Sequence, residues 1–403
     1  MSKGKNIIFL GDGMADEPIP ELNGLTPLQY AKTPAMDHIA QQGVSGTLLT
    51  LPDGFPTSSE VANMSVLGCD LSTEYCGRGP LEAVGRNIEL APDDVAFRLN
   101  LTTVKDDILK DFSGGHINQE DANALISALN NYFGCDSVRF HAGVSYRNIL
   151  VLSGRQYSHL IHTDKPDDNH NEPVSEHLPV ATDPQAKATQ DLLRRIIKEA
   201  PIVLETCPVN KARAAQGKPM ANGVWPWSGG KAGSLRTLKE KFGITGAVVS
   251  AVDVIIGLGK CLGLDVIRVQ GATGYTDTNY EGKARAAIDA LATRDFVYVH
   301  LEAIDEVSHE QNLQKKIETI EAFDARIIGP VLSAFDNNLN AVVLPDHPVP
   351  IAIGKHTRTP VPVSARIRNI KPDSVSEFNE VSCAKGSLGA MANGDLMNLI
   401  FRK

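Results

Sequence analysis

The sequence predicts an α/β protein whose mostly parallel sheet is sandwiched by helices and whose chain is interrupted by an inserted domain. Strand-like apolar runs alternate with helix-like segments near both chain ends, as is typical of parallel sheets. From about residue 100 to residue 248 the sequence is more polar and mixes amphipathic and extended segments. The length of 403 residues is enough for two hydrophobic cores. We therefore predict one domain from residues 1–99 and 249–403, and an inserted domain at 100–248.

Short apolar runs define the predicted strands of the first domain, at 7–10, 46–51, 266–269, 295–301 and 341–344. Helical spacing predicts helices at 22–42, 57–67, 280–293 and 311–328. The helix at 57–67 starts with a capping-box pattern, in which Thr57 precedes Glu60 by three residues. This start places Ser59 in the first helical turn. The inserted domain has amphipathic segments at 119–132 and 189–199 and an extended one at 146–153.

Composition excludes several classes of protein. The formal net charge of -9 argues against non-specific nucleic-acid binding. No stretch approaches the 18 apolar residues of a membrane span, and the first apolar run is too short for a signal peptide. The six cysteines include no Cys-x-x-Cys pair, which predicts reduced thiols and a cytoplasmic location.

Aspartates and histidines follow three of the strand-like runs, and a serine lies on the short helix. The carboxyl ends of parallel strands share one edge of a sheet, where ligands usually bind. We expect the following side chains to meet there: Asp12, Ser59, Asp305, His309, Asp346, His347 and His356.

These residue types are suited to divalent metal chemistry. Carboxylate oxygens and imidazole nitrogens are ligands for Mn, Zn or Mg. Two such ions can hold both oxygens of a phosphoryl transfer and activate the Ser59 hydroxyl as a nucleophile. Each motif alone has an ordinary explanation, since Asp-x-x-x-His arises by chance and Gly-Asp-Gly is a common turn. Their combination at strand ends favours a metal site, whereas His300, inside an apolar strand, is interpreted as a core histidine.

Across almost its whole length the chain resembles the cofactor-independent phosphoglycerate mutases of the archaeal type, in the alkaline phosphatase superfamily. The motifs that carry the resemblance are Gly11-Asp12-Gly13-Met14-Ala15-Asp16, Ser59-Glu60-Val61-Ala62-Asn63, Gly77-Arg78-Gly79-Pro80, Gly271-Ala272-Thr273-Gly274, Asp305-Glu306-x-x-His309, Asp346-His347 and His356-Thr357. The resemblance implies an alkaline-phosphatase-like fold with an inserted α+β cap domain. It also implies two Mn-like ions, a phosphoserine intermediate and no need for 2,3-bisphosphoglycerate.

The same resemblance implies roles for individual residues. One ion would be held by Asp305, His309 and His356, and the other by Asp12, Ser59, Asp346 and His347. His116 would act near the phosphate. Arg147 and Lys283 would contact a small anionic substrate, unless they are merely solvated surface charges. The resemblance assigns nothing to the loop at 162–177, where Asp168 would either reach the substrate or simply be solvated.

One departure from the family leaves the acceptor open. Many of these mutases carry an Arg-Gly-Ala-Gly-like stretch whose arginine would contact substrate, but this chain has Val224-Trp225-Pro226-Trp227-Ser228-Gly229-Gly230. A bacterial subgroup with this form has been proposed to be a homoserine kinase. Lys231 or Arg236 could instead replace the arginine. The leading hypothesis is interconversion of 2- and 3-phosphoglycerate. The alternatives are a homoserine phosphotransferase, a metal-dependent phosphatase and a non-catalytic binding protein, and the oligomeric state is open.

Overall fold

The computed structural model describes residues 4–231, 233, 235–335 and 338–401. The chain divides into two compact units. The first unit combines Met1–Tyr75 with Leu235–Lys403, and the second unit is the insertion Cys76–Ser234. None of the helices in the described ranges combines the length and apolar character needed to cross a bilayer.

Fifteen strands are present in the described part of the chain. They are β1 (Lys5–Gly11), β2 (Val44–Leu48), β3 (Val95–Lys105), β4 (Ile108–Asp111), β5 (Val138–Val144), β6 (Arg147–Leu152), β7 (Ile161–His162), β8 (Val180–Ala181), β9 (Gly223–Lys231), β10 (Gly246–Val249), β11 (Asp265–Ile267), β12 (Phe296–Leu301), β13 (Leu339–Pro345), β14 (Val361–Arg366) and β15 (Gly389–Met391).

The α-helices of the described residues are α1 (Pro27–Tyr30), α2 (Pro34–Gln41), α3 (Ser59–Val66), α4 (Leu71–Glu74), α5 (Arg78–Gly85), α6 (Gln119–Phe133), α7 (Lys187–Leu204), α8 (Pro208–Ala215), α9 (Leu238–Phe242), α10 (Asp253–Cys261), α11 (Tyr280–Thr293), α12 (Ala303–His309), α13 (Leu313–Phe323), α14 (Gly329–Phe335), α15 (Glu380–Cys383) and α16 (Asp395–Phe401). Single 3-10 turns lie at Pro20–Leu22, Pro166–Asn169, Val174–His177 and Pro184–Ala186, and a π-helical turn lies at Asp324–Ile328.

The first unit is built on an eight-stranded sheet in the order β11-β10-β12-β1-β13-β14-β2-β15. Five of its seven neighbouring strand pairs are parallel, and the two pairs that involve β14 are antiparallel. Ile7 and Phe9 of β1 belong to the core formed with α2, α11 and α13, whereas Ile8 and Leu10 are equally buried on the opposite face. Both faces of the sheet are therefore covered, and the predicted α/β class is confirmed.

The second unit has a different architecture. Its five-stranded sheet follows the order β4-β3-β6-β5 with β9 also on β3, and all of its pairs are antiparallel. Phe97 and Leu99 of β3 point into a core with α6 and α7, which contribute Leu125 and Leu193. This combination of an antiparallel sheet with packed helices is the α+β organisation expected for the insertion.

Several predicted boundaries differ from those observed. The predicted helix at 22–42 is two helices, because Pro34 starts α2 as its first residue. The predicted domain limits at 99/100 and 248/249 lie later than those of the compact units. Leu99 is paired with Asn148 on one side and with Pro226 on the other, because β3 runs through the middle of the second unit's sheet. Residue 99 is therefore inside a paired strand and is not a linker.

Candidate metal centre

Three neighbouring parallel strands bring the predicted ligands to one edge of the first unit's sheet. β1 lies between β12 and β13, and Gly11 is in register with Leu301 on one side and Pro345 on the other. Asp12 directly follows β1, and Asp346 directly follows β13. The third strand, β12, leads into α12, which carries a further aspartate and histidine. The sheet register therefore places residues far apart in sequence side by side.

Asp12, Asp346, His347 and Ser59 form the first group. The Nε2 atom of His347 lies 3.4 Å from Asp12 Oδ1 and 3.3 Å from Asp346 Oδ2. The same nitrogen lies 3.3 Å from Ser59 Oγ. All four side chains are buried. The serine hydroxyl is thus within hydrogen-bonding distance of an imidazole that also contacts two carboxylates.

Asp305, His309 and His356 form the second group. The carboxylate of Asp305 lies 3.3 Å from the Nε2 atom of each histidine, through Oδ2 to His309 and Oδ1 to His356. The two Nε2 atoms are 2.9 Å apart. Asp305 and His309 are four residues apart on α12, so one helical turn presents both. The His356 ring also stacks on His347, with centroids 3.8 Å apart, and so joins the two groups.

Each ligand is oriented by its neighbours. The backbone N–H of Gly13 donates to Asp346 Oδ1 at 3.1 Å, and Asn63 Nδ2 donates to Asp346 Oδ2 at 3.0 Å. Tyr298 Oη in turn donates to Asn63 Oδ1. Gly13 has a φ of +62°, and a Cβ there would lie 2.8 Å from the Asp305 Cα. Only glycine allows the first loop to pass this close to α12.

The burial and charge of these carboxylates and imidazoles favour the binding of a cation. Burial, followed by the charge of neighbouring carboxylates, raises the pKa of Asp12 well above its usual value, and burial raises that of Asp346. Burial also opposes ionisation of Asp305, but its close contacts with His309 and His356 outweigh it and lower the pKa. Burial lowers the pKa of His347. Buried carboxylates beside neutral imidazoles form a stable arrangement when a metal ion neutralises them.

The unsatisfied atoms of the site fit the same requirement. Among the described residues, Asp12 Oδ1 and Asp305 Oδ1 are buried and have no hydrogen-bond partner. Potential ligand atoms lie within 4.8 Å of one another in two sets that share His347, one with Asp12 and Asp346 and the other with Asp305 and His356. Oxygen and nitrogen donors of this kind suit Mn, Mg or Zn. The residues present therefore fit divalent ions.

Residues of β12 extend the site beyond the sequence prediction. His300 is buried as expected of a core histidine, but its Nε2 lies 3.0 Å from Asp12 Oδ2 and its Nδ1 lies 3.2 Å from Ser250 Oγ. Glu302 joins Asp12 and His300 in a third set of potential ligand atoms. Tyr298, His300 and Glu302 were missed, although alternate residues of a strand share one face and this polar spacing could have revealed them.

The start of α3 differs from the prediction. Its N-cap is Ser58, whose side chain caps no backbone N–H, so the capping box between Thr57 and Glu60 is wrong. The Thr57 carbonyl instead accepts a hydrogen bond from His356 Nδ1 at 3.1 Å, and Glu60 is buried. Tertiary contacts to the second ligand group have replaced the local motif. Ser59 is nevertheless the first residue of the helix, as the sequence placed it in the first turn.

The remaining candidate residues lie on other elements of the chain. Lys283 is on α11 of the first unit, where its Nζ donates to the His300 carbonyl at 2.9 Å. It is buried, so it is not a solvated surface charge. His116, Arg147 and Asp168 belong to the second unit. His116 and Asp168 are exposed, and Arg147 is partly buried with its Nε donating to Tyr146 Oη at 3.1 Å.

The chain is similar to proteins of known family. A family model described as 2,3-bisphosphoglycerate-independent phosphoglycerate mutase matches residues 40–210. The 2,3-bisphosphoglycerate-independent phosphoglycerate mutase of Methanosarcina acetivorans is 45% identical over 402 residues, which cover 99% of this chain and 100% of that protein. The solved structure of the PH0037 protein from Pyrococcus horikoshii matches with a TM-score of 0.84 and 29% identity, over 99% of this chain and 97% of that one. The cofactor-independent phosphoglycerate mutase from Thermoplasma acidophilum matches with a TM-score of 0.67 and 29% identity, over 99% and 98% of the two chains.

Proposed function

Because this chain belongs to the family of 2,3-bisphosphoglycerate-independent phosphoglycerate mutases, we propose that it interconverts 2- and 3-phosphoglycerate through a phosphoserine at Ser59. The observation that carries the proposal is the position of Ser59 Oγ, 3.3 Å from His347 Nε2 and beside two buried carboxylates. A nucleophile placed among potential metal ligands is what phosphoryl transfer to an enzyme hydroxyl requires.

Two divalent ions fit the ligands. One would be held by Asp305, His309 and His356, and the other by Asp12, Ser59, Asp346 and His347. When bound, such ions supply positive charge that lowers the pKa of a coordinated hydroxyl and neutralises phosphoryl oxygens. Manganese is our choice among Mn, Mg and Zn, and 2,3-bisphosphoglycerate is not required.

The proposed reaction consists of two phosphoryl transfers, first to Ser59 and then back to glycerate. Ser59 Oγ attacks phosphorus as the bond from phosphorus to one glycerate oxygen breaks, and the serine proton ends on that oxygen. The other hydroxyl of glycerate then attacks the phosphoserine, and its proton returns to Ser59. Tyr298 and Asn63 keep Asp346 in place, and Lys283 fixes the backbone at His300. We assign His116 to contact with the phosphoryl group, and Arg147 and Asp168 to substrate binding.

The test is an assay of the full-length protein with Mn²⁺ and 2-phosphoglycerate, without bisphosphoglycerate. We expect 3-phosphoglycerate to form, and Ser59→Ala to abolish its formation while metal content stays nearly unchanged. Ser58→Ala is the matched control, because Ser58 Oγ is buried, has no hydrogen-bond partner among the described residues and caps no backbone N–H. Turnover retained in Ser59→Ala would remove this residue from the mechanism.

Parallel assays separate the alternatives. Release of free phosphate from several monoesters with no isomerised product would establish a phosphatase instead. ATP-dependent phosphorylation of homoserine would establish a kinase. Absence of all three products with Mn, Mg and Zn would reject catalysis by this site.

A further inference from the structure

The loop that leads into α3 lacks the hydrogen bonds that usually fix a backbone. It comprises residues 51–57, and we call it the pre-α3 loop, because Ser59 is the first residue of that helix. In the part of the chain that the structure describes, none of its backbone groups is hydrogen-bonded to another backbone group. Its two prolines have no backbone N–H to donate. The position of Ser59 therefore depends on the side chains that hold this loop.

Arg358 binds three carbonyl groups of the pre-α3 loop. Its Nη1 atom donates to the Pro52 carbonyl at 2.8 Å and to the Leu51 carbonyl at 3.3 Å. Its Nη2 atom donates to the Phe55 carbonyl at 2.5 Å. The nearest carboxylate, that of Asp53, lies 3.9 Å from Arg358 Nε on a fully exposed side chain. Because a guanidinium carries its donors in a rigid planar fork, one arginine can hold three carbonyls in a fixed arrangement.

The sheet topology explains why Arg358 meets this loop. β14 is antiparallel to β2, and Val361 at the start of β14 is in register with Leu48 at the end of β2. The residues just before β14 and just after β2 therefore run side by side. Arg358 precedes Val361 by three residues, and Leu51 follows Leu48 by three residues. The contact between Arg358 and the pre-α3 loop is thus a consequence of the strand pairing.

The segment that carries Arg358 also carries a candidate metal ligand. His356 lies two residues earlier, and its Nε2 is 3.3 Å from Asp305 Oδ1. The other ring nitrogen of His356, Nδ1, donates to the Thr57 carbonyl at 3.1 Å. Together these two side chains bind four carbonyl groups of the pre-α3 loop. The same short segment therefore places a ligand of the second group and the loop before Ser59.

The side chains of the loop make separate contacts. Leu51 is buried in a small apolar cluster with Val61 of α3, and the Phe55 ring meets the Tyr75 ring edge-on with centroids 5.5 Å apart. These apolar contacts remain when Arg358 is changed, so a variant should still fold. They fix the side chains of the loop, whereas Arg358 fixes the carbonyl groups between them.

We propose that Arg358 is a positioning residue, which keeps Ser59 Oγ in place for attack by fixing the pre-α3 loop against the segment of His356. This inference rests on the proposed function, because it concerns the nucleophile of that reaction. A displacement of about 1 Å at a reacting atom can lower the rate by about a hundredfold. The hydrogen bonds of Arg358 are made to the protein itself, so its loss should lower kcat and leave KM almost unchanged.

The experiment compares the full-length wild type with Arg358→Ala and Arg358→Lys, each loaded with Mn²⁺ and assayed with 2-phosphoglycerate. We expect Arg358→Ala to lower kcat by about 10- to 100-fold and to keep KM within about threefold. Arg358→Lys should lose less, because an ammonium group can donate to carbonyls but lacks the planar fork. Guanidinium chloride, added far below unfolding concentrations, should raise the kcat of Arg358→Ala by about fivefold or more, whereas sodium chloride should not.

Arg294→Ala is the matched control. Arg294 also belongs to the first unit, its side chain is 39% exposed against 36% for Arg358, and its guanidinium pairs with the Asp265 carboxylate. Its loss should change neither kcat nor KM, with or without guanidinium.

Three results would overturn the proposal. They are an unchanged kcat in folded Arg358→Ala, a raised KM at unchanged kcat, and a loss of kcat that neither lysine nor guanidinium restores. The last result would reduce Arg358 to a structural contact. If Arg358→Ala does not fold, the kcat and KM of Arg358→Lys decide alone.

Crystal structures of the wild type and Arg358→Ala separate this proposal from the proposed function. The distance from Ser59 Oγ to His347 Nε2 is 3.3 Å, and we expect it to change by about 1 Å or more in the variant. If the wild type shows no mutase turnover but this distance changes, the positioning of Ser59 by Arg358 stands and only the proposed function fails. If turnover is present and neither kcat nor the distance changes, only the role of Arg358 fails.

Discussion

A buried lysine ties together the two loops that carry most of the first ligand group. Lys316 of α13 is fully buried, and its Nζ donates to the Ala15 carbonyl at 3.3 Å, Asp16 Oδ2 at 2.8 Å and the Val349 carbonyl at 3.0 Å. Ala15 and Val349 lie shortly after Asp12 and His347 in the sequence. Lys316→Met keeps most of the side-chain volume but removes all three hydrogen bonds, so it tests whether this contact fixes the distance between the loops.

The expected loss of stability follows from what the substitution leaves behind. The Asp16 side chain is 1% exposed, so Lys316→Met leaves a buried carboxylate without its cationic partner. Removing one partner of a buried ion pair costs about 3–5 kcal/mol. Asp16 also accepts from the backbone N–H of Ile351 and of Glu17, so we expect the lower end, about 3 kcal/mol. Binding of Mn²⁺ should weaken as well, because the loops lose their common anchor.

Urea unfolding and Mn²⁺ titration of the wild type, Lys316→Met, Asp16→Asn and the double variant provide the measurement. The double variant should be more stable than the sum of the single losses implies, since it leaves no unpaired charge. Lys315→Met is the control on the same helix, because the Lys315 side chain is 43% exposed and its loss should cost less than about 1 kcal/mol. A loss below about 1 kcal/mol in Lys316→Met, or strict additivity in the double variant, would refute the reasoning.

Three further changes test other parts of the structure. Tyr298→Phe leaves the buried Asn63 Oδ1 without its donor, so unfolding free energy should fall by about 1–3 kcal/mol and Mn²⁺ affinity should fall, as measured by urea unfolding and metal titration. Burial raises the pKa of Glu82, but the nearby Arg98, Arg78 and Arg86 outweigh it and hold the value at about 2. Because this folded value lies below the unfolded value of 4.5, the stabilisation is present above pH 4.5 and is lost as pH falls towards 2. Glu82→Gln should therefore lose about 3 kcal/mol at pH 7, with a difference from wild type that shrinks at acid pH in urea titrations. Removal of the metal ions by a chelator should lower the thermal unfolding midpoint of the protein, and the decrease should grow as pH rises from about 4. The reason is that the pKa values of Asp12 and Asp346 are raised, so that ionisation of these buried carboxylates is unfavourable without a metal ion.

The fold and the seven candidate ligands were accessible to sequence reasoning for one physical reason. Strands buried on both faces read as apolar runs, and the residue after each run lies at the sheet edge. Asp12, Asp305 and Asp346 were found in this way. The assignment of roles to these residues stays a proposal, whereas their convergence is a fact of the structure.

Features that depend on contacts between distant segments were not accessible. The Thr57–Glu60 pattern is that of a capping box, but His356 donates a hydrogen bond to the Thr57 carbonyl and the cap does not form. The polar spacing of β12 could mark His300 as more than a core residue, but the sequence does not show that Asp12, at the end of the neighbouring strand β1, lies 3.0 Å from it. In both cases a tertiary partner decided between two locally acceptable arrangements.

The stretch at Trp225–Gly230 shows how far the absence of one motif residue can be used against a substrate. From the sequence alone, the loss of an arginine removes an anion contact and weakens the case for phosphoglycerate. In the structure, Trp227 is paired with Arg98 of the neighbouring strand β3, so an arginine is present at the same position of the sheet. Binding depends on the charge and donors at a surface, whichever strand carries them. The missing arginine is therefore by itself no argument against a glycerate substrate, and Trp227 provides the ring face over which the Arg98 guanidinium lies.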